Sequence, residues 1–411
     1  MTTIEKLKIW GIKGAFNYLL NRIKDRRIEK FFRLNANEPL SHAPQKGITI
    51  VGALSSQGSL NKTLRDFCFS LKEANIPFQT WDLGANNIPQ EDIAPISTPK
   101  EDFQIAKYTH LIEMIRSPVP EGIVKSRGRI VFWEFESGLL QGYPVLAERS
   151  GDVIAMSDFN FNYYKTVFSN NRNVHKILYP LRVTSTTKLS KEEAREKFNI
   201  PKNAFVVFYN FSYRSGLDRK NPEGVLKAFA ESLANYNDTL LVFKTAAAKD
   251  FPERVRQLKA TADNLGLSNK VVFIDEYFGN QDILNLTNAC DVYISLHRAE
   301  GFGLGIAEAM SQGKSVIVTN YSSTTEFCNN TNSIPVGYEI VKMPPSDNEL
   351  YSAAEKWAEP NIKEGAEALL KLYKDPEMRT RLGAAAKESI LHQFSIERFK
   401  TSVEEYLSAT R

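Results

Sequence analysis

The sequence predicts an α/β protein of two domains, each built around its own parallel sheet, and three observations lead there. Its 411 residues exceed one ordinary hydrophobic core and suit two domains of about 150 to 200 residues each. From Gly47 onward, short apolar runs alternate with helical stretches, which is the pattern of βα units. Late in the chain, Ser295 to Glu308 reads SLHRAEGFGLGIAE, a glycine-rich strand-to-helix turn with a carboxylate on either side.

Residues 1–46 come first and stand apart by charge. They hold ten basic residues against four acidic ones, an excess of six, so with a net charge of +4 the remainder is slightly acidic. Ile9, Trp10, Phe16, Leu19, Leu20, Ile23 and Phe31 are interleaved with the basic positions. The segment therefore reads either as one or two basic amphipathic helices resting on an anionic lipid surface, or as ordinary solvated helices packed on their own domain. Next come candidate strands at Ile48–Leu54, Phe78–Leu83, Thr109–Ile115, Ile130–Phe135, Val153–Ser157 and His175–Tyr179, with a helical run from Leu60 to Ala74 after the first. A polar stretch, Leu181 to Pro201, holds a helix over Lys191–Phe198 and is the best interdomain linker. A second set of strands follows at Phe205–Phe211, Leu240–Lys244, Val271–Asp275, Val292–Leu296, Ser315–Thr319 and Ser333–Val336. A helix from Ile396 to Ser408 closes the chain. The division expected is 1–46, 47–185, 186–390 and 391–411, with the last helix packing back toward the first domain.

Composition excludes several classes. Apolar content of 42% with 24% charged residues is that of a soluble globular protein, and no run approaches the roughly 18 apolar residues of a membrane span. Lys6, Lys8 and Lys13 interrupt the apolar positions that a signal peptide would need, so the expected location is cytoplasmic, peripheral at the inner face of the plasma membrane if residues 1–46 bind lipid. Cys68, Cys290 and Cys328 are odd in number and scattered, which fits reduced core thiols and no zinc site. The net charge is too small to call for nucleic acid.

The informative residues fall after strands, where ligands of open α/β sheets sit. Glu300 ends a strand exit and Glu308 lies two turns into the following helix. Between them Gly301, Phe302, Gly303, Leu304 and Gly305 bring bare amides to the positive end of a helix dipole, a cradle for phosphate. A carboxylate on the far side suits a ribose diol, and one on the near side suits a sugar carried on the phosphate. Singly, Glu300 reads as a loop carboxylate and Glu308 as a solvated helix residue; the joint pattern changes that. GFGLGIAEA also matches a dinucleotide fingerprint, but it lies too late in the chain for a first βα turn, and a hydride-transfer site has no use for the paired glutamates. Arg214 and Lys220, six apart, follow the first strand of the second half. Gly58 follows the first strand of all, either as an approach point for a ligand or as an ordinary turn glycine. Trp133 and Glu134 suit stacking on and hydrogen bonding to an acceptor sugar, or core packing. His110 lies within a strand and reads as structural, whereas His297, close to Glu300, suits orienting its loop.

On these residues the chain resembles the retaining glycosyltransferases of family 4, with the GT-B fold of two facing Rossmann-like domains, parallel sheets and an interdomain cleft. Glu300 and Glu308 are similar to that family's E-x7-E motif with its EGFGL start. Arg214 and Lys220 resemble its pair for the donor diphosphate, and WAEPNIKEGAEALLKLYKD resembles its stretch after the last strands. The likeness is clear over roughly residues 205–375 and weaker before.

The resemblance implies a retaining hexosyltransferase using a nucleotide diphosphate sugar, with an acceptor hydroxyl on a glycan or lipid-linked glycan in polysaccharide assembly. It implies that Glu308 holds the ribose, that Glu300 touches the transferred sugar, that the amides of Gly301 to Leu304 contact sugar and phosphate, and that Gly58 lies where donor phosphate and acceptor meet. No Asp-x-Asp occurs in the chain, so Arg214 and Lys220 are expected to stabilise the leaving group without a divalent metal or other cofactor. The implied chemistry is a front-face displacement. The other reading is a catalytically inactive sugar-binding or partner subunit that keeps the fold, against which the intact charged set argues.

Overall fold

The computed structural model describes residues 45–52, 54–82, 88, 92, 103–108, 129–130, 152–167, 173–182, 187–343 and 356–409. The basic segment 1–46 lies outside them except for Gln45 and Lys46, as do the expected strand Thr109–Ile115, all of Ile130–Phe135 but Ile130, and His110, Trp133 and Glu134.

The first lobe begins with strand β1 (Gln45–Gly52), helix α1 (Ser59–Glu73), β2 (Phe78–Asp82) and β3 (Phe103–Tyr108). The three strands are parallel in the order β2-β1-β3, with Ile48 opposite both Phe78 and Ile105. Helix α1 forms because Leu64, Phe67, Cys68 and Leu71 recur at helical spacing and bury one stripe in the same core as Ile48 and Ile50. Strand β4 (Arg129–Ile130), β5 (Asp152–Ala155), helix α2 (Asp158–Val167) and β6 (Asn173–Lys176) form a second parallel sheet, ordered β4-β5-β6.

The second lobe opens with α3 (Lys191–Lys197), started by a capping box between Ser190 and Glu193. Then follow β7 (Phe205–Ser212), the short helix α4 (Leu217–Lys220), α5 (Pro222–Leu233), β8 (Thr239–Ala246), α6 (Pro252–Asn264) and β9 (Val271–Ile274). Next come α7 (Asn280–Ala289), β10 (Val292–Ser295), α8 (Leu304–Ser311), β11 (Ser315–Thr319) and β12 (Ile334–Val336). All six strands are parallel, in the order β12-β11-β10-β7-β8-β9. The chain runs outward from β7 to β9, returns to lay β10 beside β7, and runs outward the other way. The direction of winding thus reverses between β7 and β10, and an open sheet has its binding crevice beyond the carboxyl ends of such a pair. Both faces of the central strands are covered: Val206, Val207, Leu241, Val242, Phe243, Ile294, Val316 and Ile317 are buried, each side chain worth about 1.5–3 kcal/mol.

An antiparallel hairpin, β13 (Tyr338–Lys342) with β14 (Lys356–Pro360), follows the sheet, and three helices end the chain: α9 (Ile362–Lys374), α10 (Pro376–Gln393) and α11 (Ile396–Ala409). Helix α11 lies on the first lobe. Phe399 sets its ring edge-on to Phe67 of α1 at 5.2 Å, and Leu178 N–H donates to Ser402 Oγ at 3.1 Å.

Two elements differ from the sequence expectation. Strand β3 lies at Phe103–Tyr108, which carries no continuous apolar run, and the β13–β14 hairpin is not among the expected strands, only residues 357–360 of it falling in the stretch read for its likeness to a family. Cys68, Cys290 and Cys328 are buried and form no disulfide, in agreement with core thiols.

Candidate active site

The site gathers at the reversal between β7 and β10. Strand β10 ends at Ser295, and the chain runs through Leu296 to Glu300 into the glycine turn before α8. Strand β7 ends at Ser212 and runs through a 3-10 turn into α4, whose last residue is Lys220. Asn221 locks the two exits together. Its backbone is left-handed (φ 51°), its Oδ1 accepts from Gly224 N at 3.1 Å and caps α5, and its Nδ2 donates to Leu296 O at 2.8 Å.

Glu300 is therefore brought to Lys220, whose ammonium donates to Oε1, and to Arg219, whose Nη1 lies 3.2 Å from Oε2. Burial pushes the Glu300 carboxyl up, but Lys220 and Arg219 outweigh it and hold the pKa down at about 2. Arg219 also donates to Ala299 O at 2.7 Å and to Ser215 O at 3.2 Å, so the guanidinium is buried with its charge paired. The Lys220 side chain is 17% exposed.

The glycine turn is built by close approach. Gly303 has φ +92°, and a Cβ there would stand 2.6 Å from Thr324 Cγ2. A Cβ on Gly305 would meet Asn210 Oδ1 at 2.3 Å and the Tyr293 hydroxyl at 2.5 Å, so only glycine lets α8 start against β7 and β10. Helix α8 has no side-chain cap, and its first amides point at the turn. Glu300 is held on both sides of its peptide: its N–H donates to Ser322 Oγ at 2.9 Å, and Ser323 Oγ donates to Glu300 O at 2.8 Å. The side chain of Phe302 faces away, stacked on Tyr179 of the first lobe with centroids 3.7 Å apart and planes at 5°.

Glu308, one turn into α8, meets the first lobe. Lys62 Nζ of α1 lies 3.1 Å from Glu308 Oε1 and also binds Asp66. Burial raises the Glu308 pKa, and Lys62 opposes that. Gly58, with φ +121°, starts α1 one turn before Lys62; its carbonyl accepts from Lys62 N at 2.9 Å. His297 is buried between Ser295 Oγ at 3.2 Å and Tyr321 O at 3.3 Å. A carbonyl only accepts, so Nε2 carries the proton, and burial pushes the pKa down to about 4. The ring is neutral and braces the loop.

The structure brings together Lys220, Glu300, Gly301, Phe302, Gly303 and Leu304, with Glu308 a turn further on. It does not bring Arg214 to them: that guanidinium is 70% exposed and pairs with Asp250. The arginine beside Glu300 is Arg219, which the sequence reading passed over although it adjoins Lys220 in DRK. Lys62 was passed over as well; the one signal for it was its place a turn after Gly58. Among the described residues no group of three or more His, Cys, Asp or Glu side chains is arranged to hold a metal ion.

Residues 190–389 match the family model of glycosyl transferases group 1, so this segment carries a domain of that kind. Among curated proteins, an alpha-1,3/1,6-mannosyltransferase, ALG2, from Dictyostelium discoideum is 24% identical over 60% of this chain and 58% of its own length. A serotype-specific mannosyltransferase, WbdA, from Escherichia coli is 28% identical over 31% of this chain and 15% of its own length. The chain thus spans little more than half of the first relative and far less of the second. Among solved structures, a glycosyltransferase from Rickettsia africae (TM-score 0.62, 16% identity, 90% of this chain and 99% of that one) has the same architecture. So does HepE of Anabaena in complex with UDP and glucose (TM-score 0.62, 16% identity, 89% of this chain and 100% of that one). Sucrose-phosphate synthase from Thermosynechococcus elongatus is similar too (TM-score 0.65, 15% identity, 89% of this chain and 99% of that one). These likenesses show the fold, which is GT-B.

Proposed function

We propose that the protein transfers a hexosyl unit, with retention and without a divalent metal, from a nucleotide diphosphate sugar to a hydroxyl of a glycan or lipid-linked glycan in polysaccharide assembly. The observation that carries this reading is the cationic pair Lys220 and Arg219 on Glu300, beside the uncapped amides of α8, at the reversal of the second sheet. The mannosyltransferase names of the two curated relatives favour mannose as the sugar.

In this reading the diphosphate lies against the α8 amides and the Lys220 ammonium, which stabilise the charge that grows as the bond from anomeric carbon to phosphate oxygen breaks. Arg214 joins them when donor binds. Its pair with Asp250 is exposed and worth at most about 1 kcal/mol, so turning it inward costs little. Glu308 gives up its pair with Lys62 to accept from the ribose diol. Glu300, ionised and tied to two cations, is a weak nucleophile and a weak base, and it suits holding a sugar hydroxyl. The acceptor oxygen then attacks the anomeric carbon on the face the phosphate leaves, and its proton passes to the departing phosphate oxygen.

The test is incubation with a panel of nucleotide sugars that includes GDP-mannose and UDP-glucose, with and without EDTA, following hydrolysis or transfer by NMR. The expected result is EDTA-insensitive turnover of at least one donor with the anomeric configuration kept. Binding without turnover of any donor, in the presence of acceptor glycans, would leave the inactive-subunit reading in its place.

A further inference from the structure

The three consecutive carbonyls that lead into the glycine turn are each held by a different side chain. Arg219 holds Ala299 O at 2.7 Å, Ser323 holds Glu300 O at 2.8 Å, and Asn160 holds Gly301 O at 3.0 Å. The first two belong to the second lobe. Asn160 belongs to the first, in the opening turn of α2, and reaches Gly301 across the junction of the lobes.

Its orientation is fixed by chemistry. A carbonyl can only accept, so the side-chain NH2 must face Gly301 and Oδ1 must face the other way. Asn160 is 1% exposed, and its Oδ1 has no hydrogen-bond partner. Nor are the neighbouring amides at hand to serve it: Phe159 N donates to Glu326 Oε1 at 3.0 Å, Asn160 N to Ser157 Oγ at 3.1 Å, and Phe161 N to Ser157 O at 2.9 Å. A buried acceptor left empty beside a binding turn is costly and calls for a donor that arrives with the ligand.

We propose that Asn160 contacts substrate: its Nδ2 anchors the Gly301 peptide while its Oδ1 accepts a hydrogen bond from a sugar hydroxyl. This rests on the transferase reading above. The ligand group must be a donor. A diphosphate at neutral pH offers only acceptor oxygens and would be repelled, and the proposed function gives the ribose hydroxyls to Glu308, so the donor group left beside Gly301 is a hydroxyl of the glycosyl part. The hydroxyl belongs either to the transferred sugar or to the acceptor, since both meet beside Gly301.

The test compares wild type with Asn160→Leu, which matches the volume and removes both polar atoms. Binding of UDP and GDP alone is measured by calorimetry beside binding of UDP-glucose and GDP-mannose, and transfer is assayed separately. If the hydroxyl is the donor's, the variant loses about five- to tenfold more affinity for the effective nucleotide sugar than for the matching nucleoside diphosphate. If it is the acceptor's, nucleotide sugar and diphosphate change alike and the KM for acceptor rises about five- to tenfold. An equal change for diphosphate and nucleotide sugar with an unaltered KM for acceptor, or no loss in any assay, overturns the proposal. Should the Leu variant fail to fold by its circular dichroism melt, Asn160→Ala carries the same readouts. A wild-type protein that binds no nucleotide sugar takes the transferase reading down as well, whereas wild-type binding with an indifferent variant sinks this inference alone.

Discussion

Glu300 holds its charge against full burial because two cations face it, and this makes the pair unequal in its parts. Lys220 is the more exposed of the two, at 17% of its side chain against 1% for Arg219, and is the group that the proposed function sets against the diphosphate. Lys220→Ala, and by the same proposal Arg214→Ala, should lower kcat by a factor of about 10² to 10³, as removal of a single preorganised charge donor does elsewhere, and steady-state kinetics on the effective donor checks it. Two buried groups also make acid the destabilising direction. His297 has its pKa lowered from 6.5 to about 4, so as pH falls the unfolded chain takes up the proton first; its contribution is whole above 6.5 and is lost on the way down to about 4. Glu300, lowered from 4.5 to about 2, continues the loss between those values. Denaturant titrations at stepped pH should show His297→Gln losing much less stability than wild type between pH 6.5 and 4.5; parallel curves would contradict the assignment. Glu300, Glu308 and Lys220 were legible because their spacing is local to one turn or one strand exit. Arg219, Lys62 and Asn160 were not, because their partners lie in distant parts of the chain and only folding brings them near: Asn160 and Gly301 are 141 residues apart.

At the scale of elements, the junction between β7 and β10 depends on Asn221, which caps α5 and ties it to Leu296 at once. Asn221→Ala removes the cap, leaves the Leu296 carbonyl unserved and keeps a left-handed backbone that Ala disfavours. It should cost about 1 to 2 kcal/mol of stability, measured by chemical denaturation, and Asn221→Gly should cost less because glycine relieves the backbone. A sheet of buried parallel strands was easy to read, since β7, β8, β10 and β11 are near-continuous apolar runs flanked by helices. Strand β3, FQIAKY, mixes polar and apolar residues and gave no such signal, and β14 ends on Pro360, which argues against a strand when read alone. What defines β13 and β14 is their pairing with each other, from Tyr338 with Pro360 to Lys342 with Lys356, and pairing is a tertiary fact.

For the whole molecule, residues 1–46 carry the charge asymmetry that motivates a membrane-surface acceptor. Among the described residues no helix is long and apolar enough to cross a bilayer. Deleting residues 1–40 should release the protein from vesicles of anionic phospholipid in a flotation assay, and equal binding with and without them would end the membrane proposal. The halves themselves are joined at several points. Helix α11 returns to α1 through Phe399 and Phe67, Lys62 reaches Glu308, and Tyr179 stacks on Phe302.

The Tyr179–Phe302 stack has a mechanical result. Phe302 is the second residue of the glycine turn, and its ring is clamped from the opposite half of the molecule while its backbone belongs to the turn that the proposed function gives to the donor. Prying the halves apart would therefore have to break a face-to-face ring contact or drag the turn out of shape with it. Under the proposed function, parting of the halves would thus loosen the hold on the sugar donor at the same moment, so an activated sugar would not stay bound while open to water.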